Sequence, residues 1–342
     1  MKARIFWIDI VKFVAILFVI LAHVVWIVEQ GIQVNCILSN DFLTINSIIA
    51  TLGVPLFMLV SGSLLLGKDF KSNSDIFAFY KRGLLPLFIT AEIWIVIYCL
   101  VTIRPFSLKE MLLCMAFAHK PEVHLWYVRL IVIYYLLIPF LNRLRSKQIS
   151  VYISLLIVIA TFTFIYNGWL ILKGDICPTN SNRSYFCYLI YMAIGYKMSR
   201  IKLSKSIFAI FIILAIVGGH ILFLSLTRLN YFLWYDNPMI ALISLSLFYI
   251  IRHLCNSIKN NKLIVEISKM SYGIYLSHFI LIYIIGKCMQ YYGCNMGIFY
   301  LSLLAVILID FTIILGVKKI TPKFSKIFFR YSMISFVLLI EN

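Results

Sequence analysis

The chain has 342 residues, of which 63% are hydrophobic and only 13% charged, and its mean hydropathy is +0.98. Soluble domains carry about 25% charged residues, so this composition excludes water-soluble classes and specifies a polytopic membrane protein. The formal net charge of +18 would fit a nucleic-acid partner only if the basic residues formed one patch. Here they punctuate apolar runs, which excludes nucleic acid and makes the lipid bilayer the partner.

Runs long enough to cross a bilayer predict an all-α bundle of ten transmembrane helices over 7–28, 43–66, 83–103, 125–142, 149–166, 184–199, 206–227, 237–254, 272–290 and 297–317. The first run lacks a small-residue cleavage site, so it is expected to stay as a full span. It also carries an acid, a base and an imidazole: Asp9, Lys12 and His23. At ~100° per residue, Lys12 and His23 end about 20° apart on one face and roughly 16 Å apart along the axis. Asp9 lies one turn before Lys12, close to the same stripe. Charged groups in hydrocarbon are costly and face the protein interior or a water-filled cavity, so this helix is the default functional site.

The second run contains Phe57-Met58-Leu59-Val60-Ser61-Gly62, and the loop after it ends Lys81-Arg82 before Pro86. Glu92 falls within the third run. His119 and Glu122 lie in the following loop, beside His124-Leu125-Trp126-Tyr127, which opens the fourth run; Arg129 follows inside it. The ninth run opens Ser271-Tyr272-Gly273-Ile274-Tyr275-Leu276-Ser277-His278, and the tenth contains Asp310. One of Glu92 and Asp310 is expected to pair with Lys12. His220 and His253 sit near span ends and receive no role. The segment 324–340 is broken by Lys326, Arg330 and serines and reads as an interfacial helix.

Loop charges orient these spans. With both termini in the cytoplasm, 22 of the 31 Lys and Arg residues fall on the inside, six fall outside, and Lys12, Arg129 and Lys287 lie within spans. That asymmetry is a strong positive-inside signal. It places Asp9 and Lys12 near the cytoplasmic surface and His23 toward the outer one. The eight cysteines form no CxxC pair and behave as small hydrophobes; a disulfide among the outer-loop residues Cys36, Cys177 and Cys294 is compatible with this topology. The histidines show no metal-ligand spacing, so no metal is expected.

Taken in order, these motifs resemble the acyltransferase 3 family of integral membrane O-acyltransferases. The resemblance covers residues 1–320 and leaves 321–342 as a cytoplasmic or interfacial tail, without the soluble hydrolase-like domain that some relatives carry. Its most specific element is a basic residue, ten residues and then His, met by Lys12 and His23. The resemblance implies a multi-pass protein of the bacterial cytoplasmic membrane. It implies transfer of an acyl group, most often acetyl, from acyl-CoA to a hydroxyl of an envelope polysaccharide or lipid-linked sugar. Acetyl-CoA would be a co-substrate, with no permanently bound cofactor. His23 matches the family's catalytic histidine and Lys12 its partner basic position. Many relatives have Arg there, and Lys lacks the planar fork that grips phosphate bidentately.

The residues themselves fit that chemistry. Acyl transfer to a hydroxyl needs a base, and His is matched to neutral pH. Polyanionic CoA needs cations, which Lys12, Lys81 and Arg82 offer, with Ser61 lining the cavity. His124, Trp126, Tyr275 and His278 are candidates for the acceptor site. Each also has a plain structural reading: His23 and His278 as interhelical hydrogen bonders, Asp9 and Lys12 as a pair, Lys81 and Arg82 as inside anchors. Ser61-Gly62 then reads as a helix-packing site, Trp126 as a belt residue and Tyr275 as core. Intramembrane charges would equally suit a transporter or flippase of a polar lipid or small organic molecule. The absence of visible repeats counts against that alternative.

Overall fold

The computed structural model describes residues 5–29, 38–102, 107–119, 123–142, 186–229 and 233–320. These form an all-α membrane bundle. Among them, seven helical stretches are long and apolar enough to cross a membrane, and Trp126–Asn142 is a shorter apolar helix. The predicted span 149–166 and the interfacial segment 324–340 lie outside the described residues.

Helix α1 (Phe6–Glu29) matches the first predicted run. The second divides into α2 (Asn40–Thr51) and α3 (Gly53–Leu65), which meet at Leu52. Pro55 explains the break, because it has no N–H to donate to the Thr51 carbonyl. The third run is preceded by α4 (Asn73–Phe79), started by a Ser72–Asp75 capping box, and by a π-turn over Tyr80–Leu84; α5 (Leu85–Thr102) completes it. Pro86 at the second position of α5 removes another ladder donor, a local cause for the π-turn. Helix α6 (Leu108–Met115) lies before α7 (Trp126–Asn142). The described part of helix α8, Phe186–Met198, has 13 residues, about 20 Å of rise. Helices α9 (Lys205–Leu229), α10 (Pro238–Cys255) and α12 (Met296–Ile320) follow their predicted runs. The predicted span 272–290 is longer than expected: α11 runs Lys262–Tyr292 from an Asn261 cap, and its added first turns carry Ser268.

Helix α3 packs between α1 and α8, and glycines let their backbones come close to it. A Cβ on Gly62 would lie 1.8 Å from the Met192 carbonyl oxygen, and one on Gly195 would lie 2.1 Å from that of Leu59. Helices α3 and α8 therefore touch backbone to backbone, the small-residue packing that replaces hydrophobic drive inside a bilayer. On its other side, a Cβ on Gly53 would meet the Ala15 carbonyl and the Val19 amide of α1, each at 2.9 Å. A valine at position 62 must push two helices apart. Gly62→Val is expected to lower the thermal midpoint in detergent sharply, by a stability loss at or above the ~1–3 kcal/mol typical of overpacking. The same valine at the open position Gly316, where an added Cβ meets nothing within 4 Å, is expected to leave the midpoint nearly unchanged.

Helix α10 runs antiparallel to α1. Phe248 meets Trp7 edge to face at 5.4 Å, and the Arg252 guanidinium lies 5.9 Å from the Trp7 ring centre. The same guanidinium donates to the carbonyls of Met198 (2.7 Å) and Ile201 (2.9 Å), satisfying the end of α8. One end of the bundle thus holds Trp7, Arg252 and the last turn of α8. The first turns of α8 and α10 consequently lie at the opposite end, where the Tyr191 hydroxyl donates to the Tyr235 carbonyl at 2.8 Å.

Candidate functional site

The stripe on α1 faces inward along its length. Asp9 is fully buried and Lys12 nearly so. Both reach one residue of α11: the Ser268 hydroxyl donates to Asp9 Oδ1 at 2.6 Å, and Lys12 Nζ donates to the Ser268 carbonyl at 3.0 Å. A carboxylate and an ammonium held on one serine tie α1 to α11 at the end of the bundle near Trp7.

Lys12 also lines a cavity. Its walls are mainly apolar, from Val19 of α1 and from Val54, Phe57 and Val60 of α3. Polar groups enter from Ser61 and from the α11 face carrying Ser271, Tyr272 and Tyr275; Tyr127 closes one side. Ser61 donates its hydroxyl to the Phe57 carbonyl at 2.7 Å, so it needs no other acceptor to be satisfied. The α1 wall runs from Lys12 to Val19, about 10 Å by helix rise, and His23 follows one turn further on the same face.

Beyond Val19 three imidazoles converge from three elements. Ring centres lie 5.1 Å apart for His23 and His278, 5.4 Å for His124 and His278, and 6.0 Å for His23 and His124. His278 Nδ1 lies 3.0 Å from the Ile274 carbonyl. A carbonyl only accepts, so that nitrogen carries the proton and Nε2 presents a lone pair. Nε2 is buried without a hydrogen-bond partner among the described residues, as are both ring nitrogens of His124. Such orphaned nitrogens cost about 1–3 kcal/mol each and mark the place where a ligand's polar atoms would be satisfied. His23 alone of the three keeps some accessible surface.

Aromatic neighbours fix these rings. Phe279 stacks on His124 at 4.7 Å and meets His23 edge to face at 5.3 Å. Tyr98 of α5 sets its ring edge against His124 at 5.0 Å while its hydroxyl donates to the Leu276 carbonyl at 2.7 Å. Tyr275 lines the cavity and donates its hydroxyl to the His124 carbonyl. It is thus the side chain that belongs to both the cavity wall and the histidine cluster.

The structure therefore brings together Lys12, Ser61 and Tyr275 around the cavity, Asp9 beside Lys12 on Ser268, and His23, His124 and His278 in a separate cluster. Trp126 stands two residues from His124 in a separate aromatic group. Lys81 and Arg82 are exposed on the π-turn and do not line the cavity. The expected pairing of Lys12 with Glu92 or Asp310 is not observed. Both Glu92 oxygens lack a hydrogen-bond partner among the described residues, and Asp310 accepts from the Ser277 hydroxyl at 2.7 Å; a serine and a carbonyl on α11 satisfy the stripe instead. His119 pairs with Glu110 at 2.7 Å on an exposed surface, Glu122 lies outside the described residues, and His253 stacks on Phe208 at 4.5 Å. Cys294 is buried, whereas Cys36 and Cys177 lie outside the described residues.

Ser268, Tyr98 and Phe279 escaped sequence reasoning. Phe279 directly follows His278, and Ser268 precedes Ser271 by one turn, so helical spacing within the ninth-span motif could have flagged both. Tyr98 carries no local signal. Among the described residues no group of three His, Cys, Asp or Glu side chains is arranged to hold a metal ion.

Comparison with curated proteins and with solved structures yields no match to either. The family model for acyltransferase 3, described as an acyltransferase domain, matches residues 5–317. That match runs from the first turn of α1 through the Asp310 turn of α12, spans every site element described above, and shows that the chain belongs to the acyltransferase 3 family of membrane acyltransferases.

Proposed function

We propose that this membrane acyltransferase moves an acetyl group from acetyl-CoA to a hydroxyl of a cell-envelope glycan or lipid-linked sugar, in the bacterial cytoplasmic membrane. The carrying observation is the apolar cavity lined by a buried lysine and by Tyr275, whose ring packs against a cluster of three imidazoles in which His124 and His278 have orphaned ring nitrogens. The positive-inside charges put Lys12 on the cytoplasmic side, where CoA is found. Its phosphates would lie toward the exposed Lys81 and Arg82, and its extended pantetheine arm would follow the apolar walls past Val19. The ~16 Å between Lys12 and His23 is a distance that arm can cover, so the thioester can reach the histidines without an acyl carrier.

In the reaction the acceptor oxygen forms a bond to the thioester carbonyl carbon as the carbon–sulfur bond breaks. His23 takes the hydroxyl proton, and that proton then goes to the departing CoA sulfur, giving an ester and a thiol. Negative charge on the carbonyl oxygen needs a donor in place beforehand. A protonated ring nitrogen of His124, otherwise unpaired, supplies one. The lone pair on His278 Nε2 is positioned to hold the proton between its uptake and its release.

The test uses purified full-length protein in lipid nanodiscs with acetyl-CoA labelled in the acetyl group and deacetylated envelope polysaccharide. Release of free CoA in step with label in the glycan is the expected result. Glycan movement across vesicles with no thioester turnover would replace this reading with that of a flippase.

A further inference from the structure

We propose that Trp126, Tyr188, Trp234 and Tyr235 form a stacking platform for a pyranose ring of the acceptor. This deepens the reading above and rests on it for the identity of the reaction. The four rings come from three elements: the start of α7, the start of α8, and the connection into α10. Trp126 lies 5.5 Å from Tyr188, 5.6 Å from Tyr235 and 6.2 Å from Trp234. Trp234 and Tyr235 are 4.7 Å apart, and Tyr188 and Tyr235 are 5.9 Å apart. The planes are tilted by 31° to 56° in these pairs, so the rings meet at angles rather than as a flat stack.

Exposure separates the roles. Tyr188 is buried and forms a floor, whereas Trp126, Trp234 and Tyr235 keep accessible surface. The connection that carries Trp234 and Tyr235 is held: Tyr191 donates to the Tyr235 carbonyl, and the Asn237 side chain caps α10 by accepting from Met239 N at 2.8 Å. Interfacial belts enrich Trp and Tyr at headgroup level without requiring the rings to pack on one another. These four converge on one another, at the end opposite Trp7, two residues along the chain from His124.

A pyranose suits this group better than a lipid tail or an open-chain polyol. A ring with equatorial hydroxyls turns its C–H bonds to one face, and those weakly positive hydrogens meet the negative face of an indole or phenol. The ring edge keeps its hydroxyls free, and one of them can point from Trp126 toward His124 and His23. An acyl chain has no such rigid face, and a polyol cannot hold its C–H bonds on one side.

Two measurements on the nanodisc protein test this with methyl β-D-glucopyranoside, methyl N-acetyl-β-D-glucosaminide and mannitol as probes. In the first, intrinsic tryptophan fluorescence is titrated with each probe. A pyranoside, but not mannitol, is expected to shift it, and Trp234→Ala weakens that binding about five- to tenfold while Trp234→Phe restores most of it. In the second, acetyl transfer from labelled acetyl-CoA is followed. Trp126→Ala and Trp234→Ala are expected to raise KM for the pyranoside about five- to tenfold and to leave KM for acetyl-CoA unchanged. Equal responses to mannitol and pyranosides, or alanine variants with wild-type affinity, overturn the platform. Pyranoside binding that depends on Trp234 without any acetyl transfer keeps the platform and overturns the reaction.

Discussion

Replacement of His23 by alanine is expected to lower the proposed acetyl transfer by about 10²- to 10⁴-fold, the usual loss when a positioned general base is removed. The argument rests on place and access. His23 follows the cavity wall one turn beyond Val19, and of the three clustered imidazoles it is the one that remains accessible. His278 Nδ1 donates a hydrogen bond to the Ile274 carbonyl, and His124 is clasped between Phe279 and Tyr98, so both rings are fixed and buried. The rates of CoA release and of label transfer are measured with saturating acetyl-CoA. Folding is followed by the thermal midpoint, because His23 touches Phe279 and its loss opens a small gap. His23→Gln keeps the volume and the hydrogen-bonding edge without a titratable nitrogen, and should be as inactive as alanine. If His23 and His278 pass one proton, the double variant His23→Ala/His278→Ala is little worse than His23→Ala alone, since groups acting as a unit are non-additive. A His23→Gln enzyme with wild-type turnover sinks the assignment.

The stripe on α1 was legible because its cost is local: an acid, a lysine and an imidazole in a hydrocarbon-length helix point inward whatever the rest of the fold does. The break between α2 and α3 was also present in the sequence, in Gly53 and Pro55, but a long apolar run hid it. The partners of the stripe were harder to read. Rotation of α5 and α12 about their own axes decides whether Glu92 or Asp310 meets Lys12, and no local pattern fixes that rotation. Charge complementarity favoured a carboxylate, yet Ser268 offers a hydroxyl and a carbonyl on the helix already packed against α1. Tyr98 was illegible for a similar reason. Its hydroxyl is satisfied by a carbonyl 178 positions away in the chain, and a tyrosine in an apolar span looks like any core residue.

Lys12→Met separates what the buried lysine holds together from what it binds. The single variant leaves the Asp9 carboxylate enclosed with the Ser268 hydroxyl and without the ammonium beside it. Removing one member of a buried charged set costs about 3–5 kcal/mol, so a large drop in the unfolding midpoint is expected. Adding Asp9→Leu removes the stranded charge as well. Ser268 can then turn its hydroxyl to the carbonyl one turn back in α11, a bond that helical serines make readily. The double variant Asp9→Leu/Lys12→Met should therefore recover most of the stability, because apolar replacement of a whole buried charged set is often neutral or better. It should not recover function. With Lys12 gone from the cavity wall, KM for acetyl-CoA is expected to stay raised by about tenfold or more, the equivalent of one charge-assisted contact of ~1.5–3 kcal/mol. KM for the acceptor is expected to stay unchanged, since its proposed site lies beyond Val19. Lys12→Arg keeps the charge and should retain low KM if the wider guanidinium fits beside Ser268. A double variant that is both stable and normal in its KM for acetyl-CoA would reduce Lys12 to a structural tie between α1 and α11.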